Sequence, residues 1–257
     1  MRGKLRVHYP APRIARSIHK RYRDFARLLG FNFIIVRRQG AFFLVDPRQW
    51  VDYQIAIDGG WEADLVNRLA VLCEGRRFDY FVDVGANIGY YSVLFAVHRL
   101  TEKVIAFEPS PPLFDQFRRN LALNRLTSSV TALPLALGDC ASEITLTEGP
   151  EGNRGQTRIY ADDVVAGRPR HNARQVRFDD EFRIRDRTIL LKMDIEGYEI
   201  RALAGMERTL RENRCYIQVE VYPHNMDRVS NYLANVGYRH LDTILHDHFF
   251  TNIPGIE

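Results

Sequence analysis

The run Phe81-Val82-Asp83-Val84-Gly85-Ala86-Asn87-Ile88-Gly89-Tyr90-Tyr91 limits what this chain can fold into more than any other stretch. Phe81 to Val84 read as the end of a buried strand, Gly85 to Gly89 as a tight loop, and Ile88 to Arg99 as a helix that begins inside the loop. Glycine reaches φ > 0 without strain and has no Cβ to keep a ligand away from the backbone. A strand-to-helix crossover of this kind holds a nucleotide-like molecule against a helix N-terminus.

The residues within and beyond the loop narrow the choice of nucleotide. A dinucleotide fingerprint G-x-G-x-x-G needs its second glycine where Asn87 stands and its third where Tyr90 stands. Asp83, directly before the loop, would repel a phosphate but suits the ammonium and sulfonium of S-adenosylmethionine (SAM). Glu108 ends the strand-like run Lys103 to Phe107 and lies 19 residues beyond Gly89. An acid about 20 residues on is where a βαβ nucleotide fold accepts from the two ribose hydroxyls. The loop therefore favours SAM. An NAD-dependent dehydrogenase is the weaker enzyme reading, resting on the generic βαβ layout alone.

At 257 residues the chain has room for one α/β domain and an extension, with the boundary expected between 1–78 and 79–257. The extension reads as a helix over Pro10 to Leu29, a hairpin of Phe31 to Arg37 and Ala41 to Val45, and a helix over Glu62 to Cys73, together forming a lid or accessory layer. Beyond Glu108, Ser110-Pro111 opens a helix, and Val130 to Leu137 reads as one strand ending in Gly138-Asp139. Cys140 to Arg187 loses periodicity and carries recurrent arginines from Arg154 onward. Long irregular segments are often functional, so this insertion is the candidate for substrate recognition. Thr188 to Met193 is an apolar strand broken by Lys192, followed by Asp194-Ile195-Glu196-Gly197 and a helix over Tyr198 to Arg211. A strand over Cys215 to Tyr222, a helix over His224 to Val236, and strands over Tyr238 to Leu245 and His248 to Ile253 close the sheet.

Three scattered cysteines support neither a disulfide framework nor a zinc cluster, and His246, Asp247 and His248 lack a further ligand, so no metal site is expected. No apolar run reaches the roughly 18 residues of a membrane span. A cytoplasmic protein is the expectation. Residues 1–29 carry nine basic side chains against Asp24 alone. They read either as the solvated face of an amphipathic helix or as a peripheral contact with an anionic membrane surface. The same helix and the arginine-rich insertion motivate a nucleic-acid-binding or RNA-methylating alternative, opposed by the absence of interleaved aromatics.

The motifs D-V-G-A-N-I-G-Y-Y-S at Asp83 to Ser92, A-F-E-P-S at Ala106 to Ser110, N-L-A-L-N at Asn120 to Asn124, A-L-G-D at Ala136 to Asp139 and K-M-D-I-E-G-Y-E at Lys192 to Glu199 resemble the FkbM family of SAM-dependent methyltransferases, over roughly Asp79 to Val221. The resemblance implies a class I, Rossmann-like methyltransferase: a seven-stranded, mostly parallel sheet with helices on both faces. It also implies O-methylation of a sugar or other hydroxylated small molecule. On this resemblance Asp83, Gly85, Asn87 and Gly89, with Tyr90, hold the methionine end of SAM and Glu108 its ribose. Pro109 and Ser110 line the adenosine, Leu137 to Asp139 border the adenine, and Asp194 and Glu196 face the transferred methyl.

Chemistry supports the last pair independently. Methyl transfer from a sulfonium is an in-line displacement governed by orientation of the acceptor, whose hydroxyl must still lose its proton to a carboxylate or histidine. Asp194 is the first candidate for base or orienting group and Glu196 its partner, since an extended backbone points both to one side. Glu196 could instead serve the N-terminus of the next helix through the macrodipole. Glu220, inside a strand, reads as a substrate contact or as the partner of an arginine, and His224 as a lesser base or a helix cap.

Overall fold

The computed structural model describes residues 5–7, 21, 30, 32–159 and 167–256. The helix expected over Pro10 to Leu29 and most of the basic segment lie outside the described residues. In chain order come β1 (Ile34–Arg38), β2 (Ala41–Val45), α1 (Trp50–Tyr53), α2 (Ala63–Gly75), β3 (Tyr80–Val84), α3 (Tyr90–Val97), β4 (Lys103–Phe107), α4 (Pro111–Leu123), β5 (Val130–Leu133), β6 (Leu135–Leu137) and β7 (Ser142–Thr147). They are followed by β8 (Arg158–Ile159), β9 (Arg170–Val176), α5 (Phe178–Glu181), β10 (Thr188–Met193), α6 (Glu199–Gly205), α7 (Glu207–Glu212), β11 (Arg214–Glu220), α8 (Pro223–Asn235), β12 (Arg239–Ile244) and β13 (Asp247–Thr251).

The central sheet has seven strands in the order β12-β13-β11-β10-β3-β4-β5. The five from β11 to β5 run parallel, and β13 lies antiparallel to both neighbours. This is the expected class I arrangement. Parallel strands covered on both faces need near-continuous apolar sequence. β10 obeys this from Ile189 onward except at Lys192, which is buried all the same. Alternation assigns each strand residue to a face. Val82, Val84, Leu191, Met193, Ile217 and Val219 join the core beneath α6 to α8. Phe81, Leu190, Tyr216 and Phe249 join the opposite core, shared with the hairpin, α2, α3 and α4. On that second face, towards the carboxyl ends of the strands, the pattern turns polar. Lys192 stands opposite Asp83 on one side and Gln218 on the other, and Glu220 opposite Asp247.

The β1–β2 hairpin turns at Gln39 and Gly40, both at positive φ as a tight hairpin turn requires. It docks on α4 through two amides. Fully buried Asn120 accepts from Leu44 N (2.6 Å) and donates to Ile88 O (2.8 Å), while Asn124 accepts from Phe42 N and donates to Phe42 O. Leu5 and Val7 are buried in the same core, with Val7 clipped at both N and O by Asn67, and Arg6 ion-pairs with Glu74.

Three expectations need correcting. The strand expected over Val130 to Leu137 is two: Pro134, which has no N–H for a ladder, separates β5 of the main sheet from β6. β6 belongs to a second sheet of order β6-β9-β7-β8, so the segment from Cys140 to Arg187, expected to be irregular, contains three strands and two short helical turns among its described residues. The helix expected over Tyr198 to Arg211 is divided at Met206 into α6 and α7. All three cysteines are free.

Candidate active site

Two clefts meet at the carboxyl ends of β3, β4 and β10, sharing Gly85, Asn87, Gly155, Asp194 and Glu196. The first is a slot walled by Val84, Phe107, Leu113, Leu135, Leu137 and Ile159, with Glu108 and Pro109 at its edge. The second, of about 460 Å³, is walled by aromatic and acidic side chains and partly built from the extension, through Trp50, Trp61 and Glu62.

Backbone constraints shape the first cleft. Gly85 has φ 81°, and a Cβ there would lie 1.9 Å from the Asp194 carbonyl oxygen, so no other residue fits. Its N–H and that of Ala86 both donate to Phe107 O, folding the loop over the end of β4. Glu108 Oε2 accepts from Asn87 N and Oε1 from Ser110 N, both at 2.8 Å. Each oxygen keeps a lone pair for a further donor. Burial pushes this carboxyl up to about 7 against the pull of the two N–H groups. An apolar slot with a pinned carboxylate at one edge can take a flat ring against its aliphatic walls and hydroxyl donors at Glu108, features that suit the adenosine of SAM.

Not every residue singled out in the sequence reaches a cleft. Tyr90 lines the second, and Pro109 and Leu137 the first. Asp83, Gly89, Ser110 and Asp139 line neither. Gly89, with φ 80°, lets α3 press on α4: a Cβ would meet the Phe117 ring at 2.0 Å. Asp83 is buried behind the loop, with Oδ2 accepting from Ser92 Oγ (2.6 Å) and Oδ1 without a hydrogen-bond partner, opposite Lys192. Burial raises its carboxyl, opposed chiefly by the Lys192 charge. Ser110 is buried with Oγ unpartnered, and Asp139 faces Arg201 at 3.7 Å.

Lys192 is the hub of the second cleft. Its Nζ lies 3.3 Å from Asp194 Oδ2 and 5.3 Å from the centre of the Tyr91 ring. Burial works against its charge, but Asp194, Asp83, Glu62 and Asp247 outweigh it, and the ammonium is held more firmly than usual. Asp194 shows the complement. Burial tends to raise it, yet the Lys192 charge and a hydrogen bond from Glu220 hold it below the ordinary carboxylate range. Glu220 is pushed up to about 10 by burial, by the charge of Asp194 and by that same bond, so it keeps its proton and donates. Glu62 accepts from Tyr91 OH at 2.7 Å and is pushed to about 7 by burial, with Lys192 opposing. Asp247, raised by burial, accepts from Gln218 Nε2 at 2.7 Å.

Asp194 and Glu196 both face the junction, though not because the strand runs on. β10 ends at Met193, and Glu196 adopts φ 58°. Glu196 accepts from Tyr222 OH and ion-pairs with Arg158, both at 3.0 Å. Glu199, not Glu196, serves the start of α6, by accepting from Gly197 N. Glu220 pairs with Asp194 and not with an arginine, while His224 stacks on Tyr222 outside the lining. Four of the eight non-glycine residues with positive φ among the described residues, Glu62, Asn87, Glu196 and Leu245, line this one cleft. Such strain gathers at functional sites. Among the described residues no group of His, Cys, Asp or Glu is arranged to hold a metal, and no helix is long and apolar enough to cross a membrane.

A seven-stranded sheet of this order, with a glycine loop after β3 and an acid at the tip of β4, defines a class I methyltransferase domain. Residues 83–246 match the Methyltransferase FkbM domain. The chain belongs to the FkbM methyltransferase family, whose methyl donor is SAM. It is 31% identical over 156 residues to methyltransferase sdnD of Sordaria araneosa, covering 50% of this chain and 60% of that protein. It is 25% identical over 161 residues to the hexuronic acid methyltransferase AglP of Haloferax volcanii, covering 63% and 62% respectively. The chain thus spans about three fifths of the length of these curated relatives. A solved methyltransferase FkbM from Methylobacillus flagellatus KT superposes with a TM-score of 0.46 at 21% identity, over 68% of this chain and 43% of that one.

Proposed function

We propose that this chain is an O-methyltransferase that moves the methyl of SAM to a hydroxyl of a small molecule or glycan sugar held in the second cleft. One observation carries the reading: Asp194, kept ionised by Lys192, stands where an adenosine-shaped slot opens into a larger cleft of aromatic and acidic walls. SAM, when bound, supplies an electrophilic methyl on a sulfonium. Glu108 accepts from the ribose hydroxyls, Leu137 and Pro109 border the adenosine, and the loop of Gly85 and Asn87, with Tyr90 nearby, takes the methionine end. Asp83, Gly89, Ser110 and Asp139 act from behind, Asp83 through the charge of Lys192. Asp194 accepts the hydrogen bond of the acceptor hydroxyl and takes its proton. Glu220 donates to Asp194 and fixes its orientation, while Tyr222 and Arg158 do the same for Glu196.

Aromatic walls suit the C–H faces of a sugar ring, and carboxylates suit its hydroxyls. AglP, a methyltransferase of hexuronic acid, lends support to a sugar ring as the acceptor but not to a carboxylate on it. A second assignment of the base, to Glu62, is favoured by its position near neutrality, where a general base works best.

Calorimetric titration with SAM should give saturable binding that Glu108→Ala weakens at least about tenfold, the scale of a lost charged hydrogen bond. Asp194→Asn should keep SAM affinity while lowering kcat by about 10²- to 10⁴-fold, read as SAM consumption against a panel of glycosides. Absence of SAM binding, or affinity indifferent to Glu108→Ala, refutes the reading. Loss of turnover in Glu62→Gln but not in Asp194→Asn transfers the base to Glu62.

A further inference from the structure

Resting on the methyltransferase reading, we infer that the second cleft selects an acceptor that is uncharged or carries an ammonium group, and turns away one bearing a carboxylate or phosphate near the reacting hydroxyl. The lining holds five acids, Glu62, Asp194, Glu196, Glu220 and Asp247. Among the described lining residues Lys192 is the one lysine or arginine, and it lies 3.3 Å from Asp194, while Arg158, which is not part of the lining, ion-pairs with Glu196 at 3.0 Å. His246 is the remaining basic side chain on the wall. An incoming anion therefore meets an excess of carboxylates over cations on this wall, and Coulomb repulsion at short range in a half-buried site is poorly screened. A hydroxyl meets the opposite situation, since it can donate to any of these oxygens, and an ammonium gains both hydrogen bonds and opposite charge. The sulfonium of SAM would offset one negative charge at the junction, leaving Glu62 and Asp247, which line the second cleft alone.

Burial and mutual repulsion already keep Glu220 protonated and raise Glu62 and Asp247. Asp194, Glu196 and Glu220 lie within residues 83–246 and Glu62 and Asp247 outside them, so the acidic wall is shared between the family-matched residues and their flanks.

The test uses the full chain saturated with S-adenosylhomocysteine and three matched probes, methyl glucoside, glucosamine and glucuronate, titrated calorimetrically at pH 7.5. Binding of the cofactor product is measured first. If it does not bind, the methyltransferase reading itself falls. With it bound, glucuronate should be weaker than glucosamine by about 10-fold or more, the effect of one adverse charge about 10 Å away at an effective dielectric of about 20. Asp247→Asn, which can still accept from Gln218, should shrink that ratio. Equal or tighter binding of glucuronate overturns the inference, and so does failure of all three probes to bind up to their solubility limits.

Discussion

Replacing Lys192 with methionine tests whether the acids around it are held by its charge or merely packed beside it. Lys192 is buried in a central strand, and its ammonium sits 3.3 Å from Asp194 Oδ2, opposite Asp83 in the next strand. At an effective dielectric of about 20 the single contact with Asp194 corresponds to about 5 kcal/mol of attraction, much of it offset by desolvation. Methionine fills the volume but leaves Asp194 and Asp83 buried without a cation. Stripping one partner from such a group costs about 3–5 kcal/mol.

The sign with pH follows from linkage. In the variant both acids lose the charge that pulls their pKa values down, so their folded values lie above the unfolded ones. The folded state then binds more protons, and stability falls as pH rises through that range. Urea unfolding of Lys192→Met should therefore show its full deficit at pH 8 and recover much of it near pH 5. An equal deficit at both values would mean that Lys192 contributes volume rather than charge, and the hub described above would be discarded.

Two further outcomes are expected. Gly85→Ala must place a Cβ 1.9 Å from the Asp194 carbonyl at φ 81°, so it should lose about 3 kcal/mol or more in urea unfolding and most of its SAM affinity by calorimetry. Wild-type stability would argue for a loop that yields easily. Asp52 is buried, pushed up to about 7 by that burial against hydrogen bonds from Asp46 N and Gln116 Nε2. Its folded value exceeds the unfolded one, so its cost is absent below about pH 4 and complete above about pH 7. Asp52→Asn should be more stable than wild type by about 2–4 kcal/mol at pH 8 and equal to it near pH 4, and a constant difference across that range would contradict the assignment.

The parts of the site that local chemistry dictates were legible in the sequence. Gly85 and Glu108 carry their reasons with them, one a backbone that must pass another at close range, the other an acid at a fixed distance after a glycine loop. The strands of the main sheet announce themselves as apolar runs. β9 does not: its inward positions are His171, Ala173 and Gln175, too polar or small for the alternation to register against Arg170, Asn172 and Arg174. Glu62, Trp50 and Trp61 bear no periodic signal either, because what makes them part of the cleft is the docking of the extension near the carboxyl ends of strands far along the chain. Lys192 had a readable mark, a lysine inside a buried strand, whose meaning appears only with Asp83, Asp194, Glu62 and Asp247, the four acids that act on it from four separate segments.

Asn120 sets a condition on any exchange of parts between this chain and its relatives. Its one carboxamide rivets the backbone of Leu44, outside the family-matched residues, to the carbonyl of Ile88 within the glycine loop. A chimera carrying a foreign hairpin would leave that amide half-satisfied beneath the loop, and a displaced hairpin would tug directly on the turn that begins α3. Grafting the extension therefore requires transplanting its seat on α4 as well.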